Sequence, residues 1–208
     1  MSPLPLGIAK LVNFFFILVK SKFKSERTKS LFVGIAAHAT QPLNSPFTAG
    51  IGLTLNAAGH YSGWPIAKFG SQSITDALEK CLLEYGGEIE TGNFISSLSE
   101  LPKSKIILCD ITPKQLVAIA NKQLNKKYVK SMNKFRYGPG VFKIDWALNE
   151  PVPWLSKDCH KAGTIHLGGT SLEIAEAEQE VADGKHPDKP YVLIGQQSLF
   201  DNTRAPDG

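Results

Sequence analysis

Residues 163–194 read GTIHLGGTSLEIAEAEQEVADGKHPDKPYVLI. Gly163 to Leu167 reads as a strand. Thr170 to Ala182 has the composition of an acidic helix, closed by Gly184, and Tyr191 to Ile194 predicts a second strand. Gly168-Gly169-Thr170 at the helix start has the layout of an anion site. Glu173 sits in the first turn, however, where it complements the helix dipole and repels a phosphate, so this is read as a turn plus cap. A strand, a helix and a strand within 32 residues set the class.

Working outward, residues 141–149 alternate. Phe142, Ile144, Trp146 and Leu148 face one way and Lys143, Asp145, Ala147 and Asn149 the other, the pattern of a half-buried strand. Upstream, Ile74, Ala77, Leu78, Cys81, Leu82 and Tyr85 recur at helical spacing, predicting a helix from Gly70 with one buried stripe and a stop at Gly86-Gly87. Glu88 to Leu98 is strand-like. Ile106 to Cys109 reads as a buried strand ended by Asp110, and Thr112-Pro113 as N-cap and first residue of another helix. Leu31 to His38 suits a small-residue helix, whereas residues 40–66, punctuated by prolines, read as loop and turn. Strands and helices mix throughout, so the fold class is α/β or α+β, with no internal repeat.

The chain has 208 residues, 42% of them hydrophobic and 20% charged, which excludes disorder, collagen and coiled coil as readings of the whole. Three cysteines are too few for a disulfide scaffold and point to a reducing, cytoplasmic compartment. The formal charge of +4 is carried entirely by residues 20–29, through Lys20, Lys22, Lys24, Arg27 and Lys29 against Glu26. No zinc finger, RNA-binding motif or aromatic-interleaved basic run accompanies them, so nucleic acid is not expected as a partner. The preceding run from Leu6 to Val19 is too short to span a bilayer and lacks the order of a signal peptide. It predicts a helix that packs on the protein, with peripheral membrane contact next to the basic cluster as the alternative.

Self-contained catalytic motifs are absent. There is no G-x-S-x-G elbow and no G-x-G-x-x-G fingerprint. Cys159-His160 and His166 lack the spacing of a zinc site, so no metal is expected, while His38 and His60 lie in turn-rich sequence and could face a ligand or each other.

The segments together resemble a known family. Gly63-Trp64-Pro65, Phe69-Gly70-Ser71-Gln72-Ser73, and Tyr85-Gly86-Gly87-Glu88-Ile89-Glu90-Thr91-Gly92 resemble the phytoene desaturase-like FAD/NAD(P)-dependent oxidoreductases. So do Asp110-Ile111-Thr112-Pro113, Tyr137-Gly138-Pro139-Gly140, residues 142–148 and Pro151-Val152-Pro153-Trp154. Residues 162–169 and 196–201, then Thr203-Arg204-Ala205-Pro206, extend the likeness over about residue 30 to the last. One departure is Phe69, where the family usually has glycine.

The resemblance implies a partial FAD/NAD(P)-binding-type fold. Residues 1–65 would be substrate-domain helix and loops, 66–118 a returning segment of the FAD-binding domain, and 119–208 substrate domain with its sheet. It implies FAD as cofactor, with Ile95 at the position whose backbone meets the adenine, and Cys109, Asp110 and Thr112 at the strand end that approaches the flavin. Catalytic residues are not identified. The family's G-x-G-x-x-G and its C-terminal flavin segment are not in this sequence, so the expectation is the interior of a longer or split flavoprotein, inactive alone and completed by a chain carrying the rest of the FAD domain. The intact enzyme would take hydride from an apolar or amphiphilic substrate. The alternative is a non-catalytic module that binds an apolar ligand, a membrane or a partner.

Overall fold

A computed structural model describes residues 15–120 and 122–205. It is a mixed α+β chain. Among the described residues six α-helices precede the first strand: α1 (Phe15–Lys22), α2 (Glu26–Ala36), α3 (Thr48–Ser62), α4 (Gln72–Glu84), α5 (Pro113–Ala120) and α6 (Lys126–Met132). Then come β1 (Thr164–Leu167), α7 (Ser171–Ala182) and β2 (Val192–Gly195). The strands form a two-stranded antiparallel sheet in the register Thr164↔Gly195 to Leu167↔Val192. The chain divides into two compact units, Met1–Leu78 with Pro139–Gly208, and Glu79–Gly138.

The first unit holds the core. Val19, Val33, Ala36, Ala37, Leu43, Ala49 and Ile174 bury together, drawing on α1, α2, α3 and α7, with Phe23, Phe32 and Tyr191 packed against them. Many of these residues are small, which lets helix backbones approach closely and makes each methyl group count. Across the core, the Glu26 carboxylate in the first turn of α2 accepts the Ser171 amide at 2.8 Å, satisfying a free N–H at the start of α7.

The ends of α7 follow its sequence. The Thr170 hydroxyl accepts the Glu173 amide and the Glu173 carboxylate accepts the Thr170 amide, a reciprocal capping box. Glu173 therefore occupies the place an anion would take. At the other end Gly184, at φ +76°, donates to Val181 and Lys185 donates to Glu180, the paired bonds of a left-handed helix stop. The same pair closes α4, where Gly86 bonds Leu83 and Gly87 bonds Leu82.

Several expectations are corrected. Residues 48–62, read as loop, are helical (α3); Gly50, Gly52 and Gly59 weaken its intrinsic propensity by roughly 1 kcal/mol each, and packing of Ala49 and Gly52 into the core compensates. The stripe on α4 lies exposed, with Ile74 at 56% and Leu78 at 67%. The strands expected over Glu88–Leu98, Ile106–Cys109 and 141–149 do not form among the described residues. An apolar run becomes a strand only when a neighbour accepts its N–H groups, and no described residue pairs with these in a ladder. Leu108 and Phe142 are about nine-tenths exposed and Trp146 is 74% exposed. Of the helix expected over Leu6–Val19, residues 6–14 lie outside the described residues. Val19 is fully buried, which favours packing at that position. No described helix is long and apolar enough to cross a membrane.

So much uncovered apolar surface drives association. Dynamic light scattering at micromolar concentration is expected to show species larger than a monomer, and Leu108→Ser with Phe142→Ser and Trp146→Ser is expected to shift them towards monomer. A monodisperse wild-type monomer would contradict this.

Candidate functional site

The polar chemistry of the first unit gathers around the hairpin. The turn after α2, Ala37–Ala39, carries His38 outward, and Thr40 ends it in a left-handed conformation. His166 lies on β1 opposite Leu193. The two imidazoles meet with their Nε2 atoms 3.2 Å apart. Tyr191 stands edge-on to His166, with ring centroids 5.5 Å apart, and its hydroxyl donates to the Gly34 carbonyl at 2.6 Å. Gly34 is buried, and a Cβ there would come within 3.3 Å of the Tyr191 hydroxyl and 3.7 Å of His166 Nδ1. Burial pushes the His166 imidazole below its ordinary value, and His38 adds to the effect. Burial likewise drives the Tyr191 phenol up, with Glu178 acting in the same direction. Tyr191 is thus a fixed hydrogen-bond donor.

Next to the sheet, Gln196 uses its whole amide. It accepts from the Trp154 indole at 2.8 Å and donates to the carbonyls of Cys159 and Ala162, while its backbone N–H bonds Gly163. A further clamp joins the loop before α4 to the last turn. The Asp201 carboxylate accepts the Phe69 amide at 2.9 Å, the Thr203 hydroxyl at 2.6 Å and Arg204 Nε at 3.0 Å, and Arg204 Nη2 reaches the Ala67 carbonyl. These bonds, led by that from Thr203, hold the Asp201 carboxyl down at about 2. Phe69 has φ +66°, a left-handed conformation that suits glycine.

The residues singled out for a cofactor lie in the second unit. Ile95 is half-buried and lines an open depression of about 360 Å³ with Glu90, Phe94, Glu100 and Leu101. Glu100 is charged there, its carboxyl lowered by the Ser96 hydroxyl and amide. Cys109 and Asp110 are exposed on a segment without regular secondary structure. Thr112 caps α5, its hydroxyl and amide both donating to the Gln115 side chain. Tyr137 lies beside it and accepts the Lys114 amide at 3.1 Å. No hydrogen bond or ion pair joins Ile95 to Cys109, Asp110 or Thr112. Sequence reading missed the His38–His166 pair, Tyr191 and the Asp201–Arg204 clamp, since each joins residues more than 120 positions apart or depends on such a contact.

Among the described residues no group of three or more His, Cys, Asp or Glu is placed to hold a metal ion. No protein-family model, curated protein or solved structure matches the chain.

Two outcomes follow for the clamp. The unfolded Asp201 carboxyl titrates near 3.8 and the folded one near 2, so its stabilisation is complete above the first value and is lost as the pH falls towards the second. Asp201→Asn should therefore lower stability at pH 6 and converge with wild type near pH 2, measured by urea unfolding. Phe69→Gly should raise stability by about 0.5–1 kcal/mol in the same assay, because relief of the left-handed strain exceeds the entropy that glycine adds to the unfolded chain.

Proposed function

We propose that this chain supplies the substrate domain and a returning segment of the FAD-binding domain of a flavin-dependent oxidoreductase of the phytoene desaturase-like kind, with the nucleotide cradle furnished by other polypeptide. The observation that carries this reading is the exposed, unpaired state of residues 106–109 and 141–148, apolar segments within or next to the strings that bear the resemblance. Such segments fit a protein that a complementary body completes: covering each large side chain would contribute about 1.5–3 kcal/mol. Pairings between distant strings agree with it. The loop at Phe69 meets Asp201 and Arg204, Thr112 and Tyr137 share the start of α5, and Trp154 meets Gln196. Phe69, at the position where the family it resembles usually has glycine, has a left-handed backbone.

The described residues fit FAD poorly on their own. A dinucleotide pyrophosphate needs oriented N–H donors at a helix start, and the one glycine turn of that layout, Gly168-Gly169-Thr170, is filled by Glu173. The depression at Ile95 carries Glu90 and Glu100 and repels phosphate, although a neutral base edge could lie against it. No reaction step is therefore assigned to residues of this chain. The flavin of the assembled enzyme would supply hydride acceptance from an apolar or amphiphilic substrate. A second reading, a non-catalytic apolar-ligand module, draws on an open depression of about 390 Å³ along α3, lined by Phe47, Gly50, Ile51, Thr54 and Leu55.

Purification of the tagged chain from its native cells, followed by an absorbance scan, tests the proposal. The chain alone is expected to be colourless, and a yellow complex with a polypeptide carrying G-x-G-x-x-G is expected to co-purify. Stoichiometric FAD on the isolated chain would refute the division of labour, and recovery without any flavoprotein would favour the ligand-binding module.

A further inference from the structure

The contact between His38 and His166 has a dimension that suits chemistry beyond a hydrogen bond. Zinc bound tetrahedrally by imidazole at about 2.0–2.1 Å separates two ligating nitrogens by about 3.3–3.4 Å. Here the two Nε2 atoms stand 3.2 Å apart, with the rings tilted 54° to one another. We propose that His38 and His166 form a two-histidine site for a late first-row divalent ion, zinc by geometry, bound between the two Nε2 atoms.

The site is held from both sides. His166 is fixed by the β1–β2 register and by the edge of Tyr191, which is itself tied to Gly34. His38 rides on a short turn anchored by buried Ala36 and Ala37. His38 is exposed and His166 only half-buried, so an ion can reach both without opening the core. Without metal, one Nε2–H donates to the other Nε2. Binding needs both nitrogens as lone pairs, so that one ring moves its proton from Nε2 to Nδ1 through solvent and no net charge leaves the protein. No further His, Cys, Asp or Glu among the described residues completes a set of three. Water or a small anionic ligand fills the remaining positions, which makes the site exchangeable and distinct from the closed four-ligand sites that hold small folds together. Affinity should follow the usual order for nitrogen donors, with copper and zinc above cobalt and manganese. The inference does not depend on the flavoprotein reading.

Equilibrium dialysis of the full chain against Zn²⁺, with bound metal quantified, tests it on monomer and oligomer alike. One Zn²⁺ per chain is expected. Loss of a ligand should cost more than the roughly tenfold minimum seen when only a supporting residue is removed. His38→Ala, His38→Gln and His166→Asn should each weaken binding beyond tenfold, the His38→Ala/His166→Asn double variant should retain no site, and His60→Ala/His186→Ala should bind as wild type. Because His38 is exposed, its two variants keep the fold, which circular dichroism verifies. Co²⁺ should give ligand-field bands without a thiolate charge-transfer band. Wild-type affinity in the His38 variants, a thiolate band showing that Cys81, Cys109 or Cys159 carries the ion, or no bound Zn²⁺ at millimolar metal would each overturn the proposal.

Discussion

The Tyr191 hydroxyl bonded to the Gly34 carbonyl is the tie on which the first unit depends. Helix α2 presents a stretch of backbone bare of side chain at Gly34, and only there can a phenol approach the helix closely enough to bond one of its carbonyls. That bond brings the hairpin onto α2, and the hairpin in turn sets His166 against His38. Burial favours the protonated phenol, so the tie stays a donor. The Glu26–Ser171 bond fixes the same helix to the start of α7. Two polar contacts thus align one helix with both parts of the strand–helix–strand segment, and the apolar core fills the space between.

Among its described residues the second unit has no comparable tie. Its helices α5 and α6 are short, among its described residues only Ala120 is a buried apolar residue, and its apolar run from Ile106 to Leu108 faces solvent. Local polar bonds shape it instead: Thr112 and Gln115 at the start of α5, Asn125 at the start of α6, Ser96 with Glu100. Such bonds stabilise turns but bury little, so the unit has little apolar burial to stabilise it.

What the sequence disclosed divides along the same line. Capping and stopping signals were legible because their physics is local: Thr170 with Glu173, Gly184, Gly86-Gly87 and Thr112-Pro113 all act where spacing placed them. The strands Thr164–Leu167 and Val192–Gly195 were legible because each had the other to pair with. The equally clear alternation at 142–148 has no such partner, and the period alone cannot supply one. Helix α3 was hidden by glycines whose cost is met by distant packing. The histidine pair was hidden because nothing near His38 announces a residue 128 positions away.

Those separations also set an order of events for a growing chain. Gly34 waits 157 residues for Tyr191, Glu26 waits 145 for Ser171, and Ala67 waits 137 for Arg204. At ordinary synthesis speeds of about 5–20 residues per second, the interval before Tyr191 emerges is about 8–30 s. During it, the apolar faces of α2 and α3 are on the ribosome without their partners from α7 and the hairpin. Closing such long loops is also entropically costly, so the late segments must bind a preassembled helical layer rather than nucleate it. The nascent α2 and α3 are therefore a natural client for a chaperone, and a translational pause before residue 164 would lengthen their exposure.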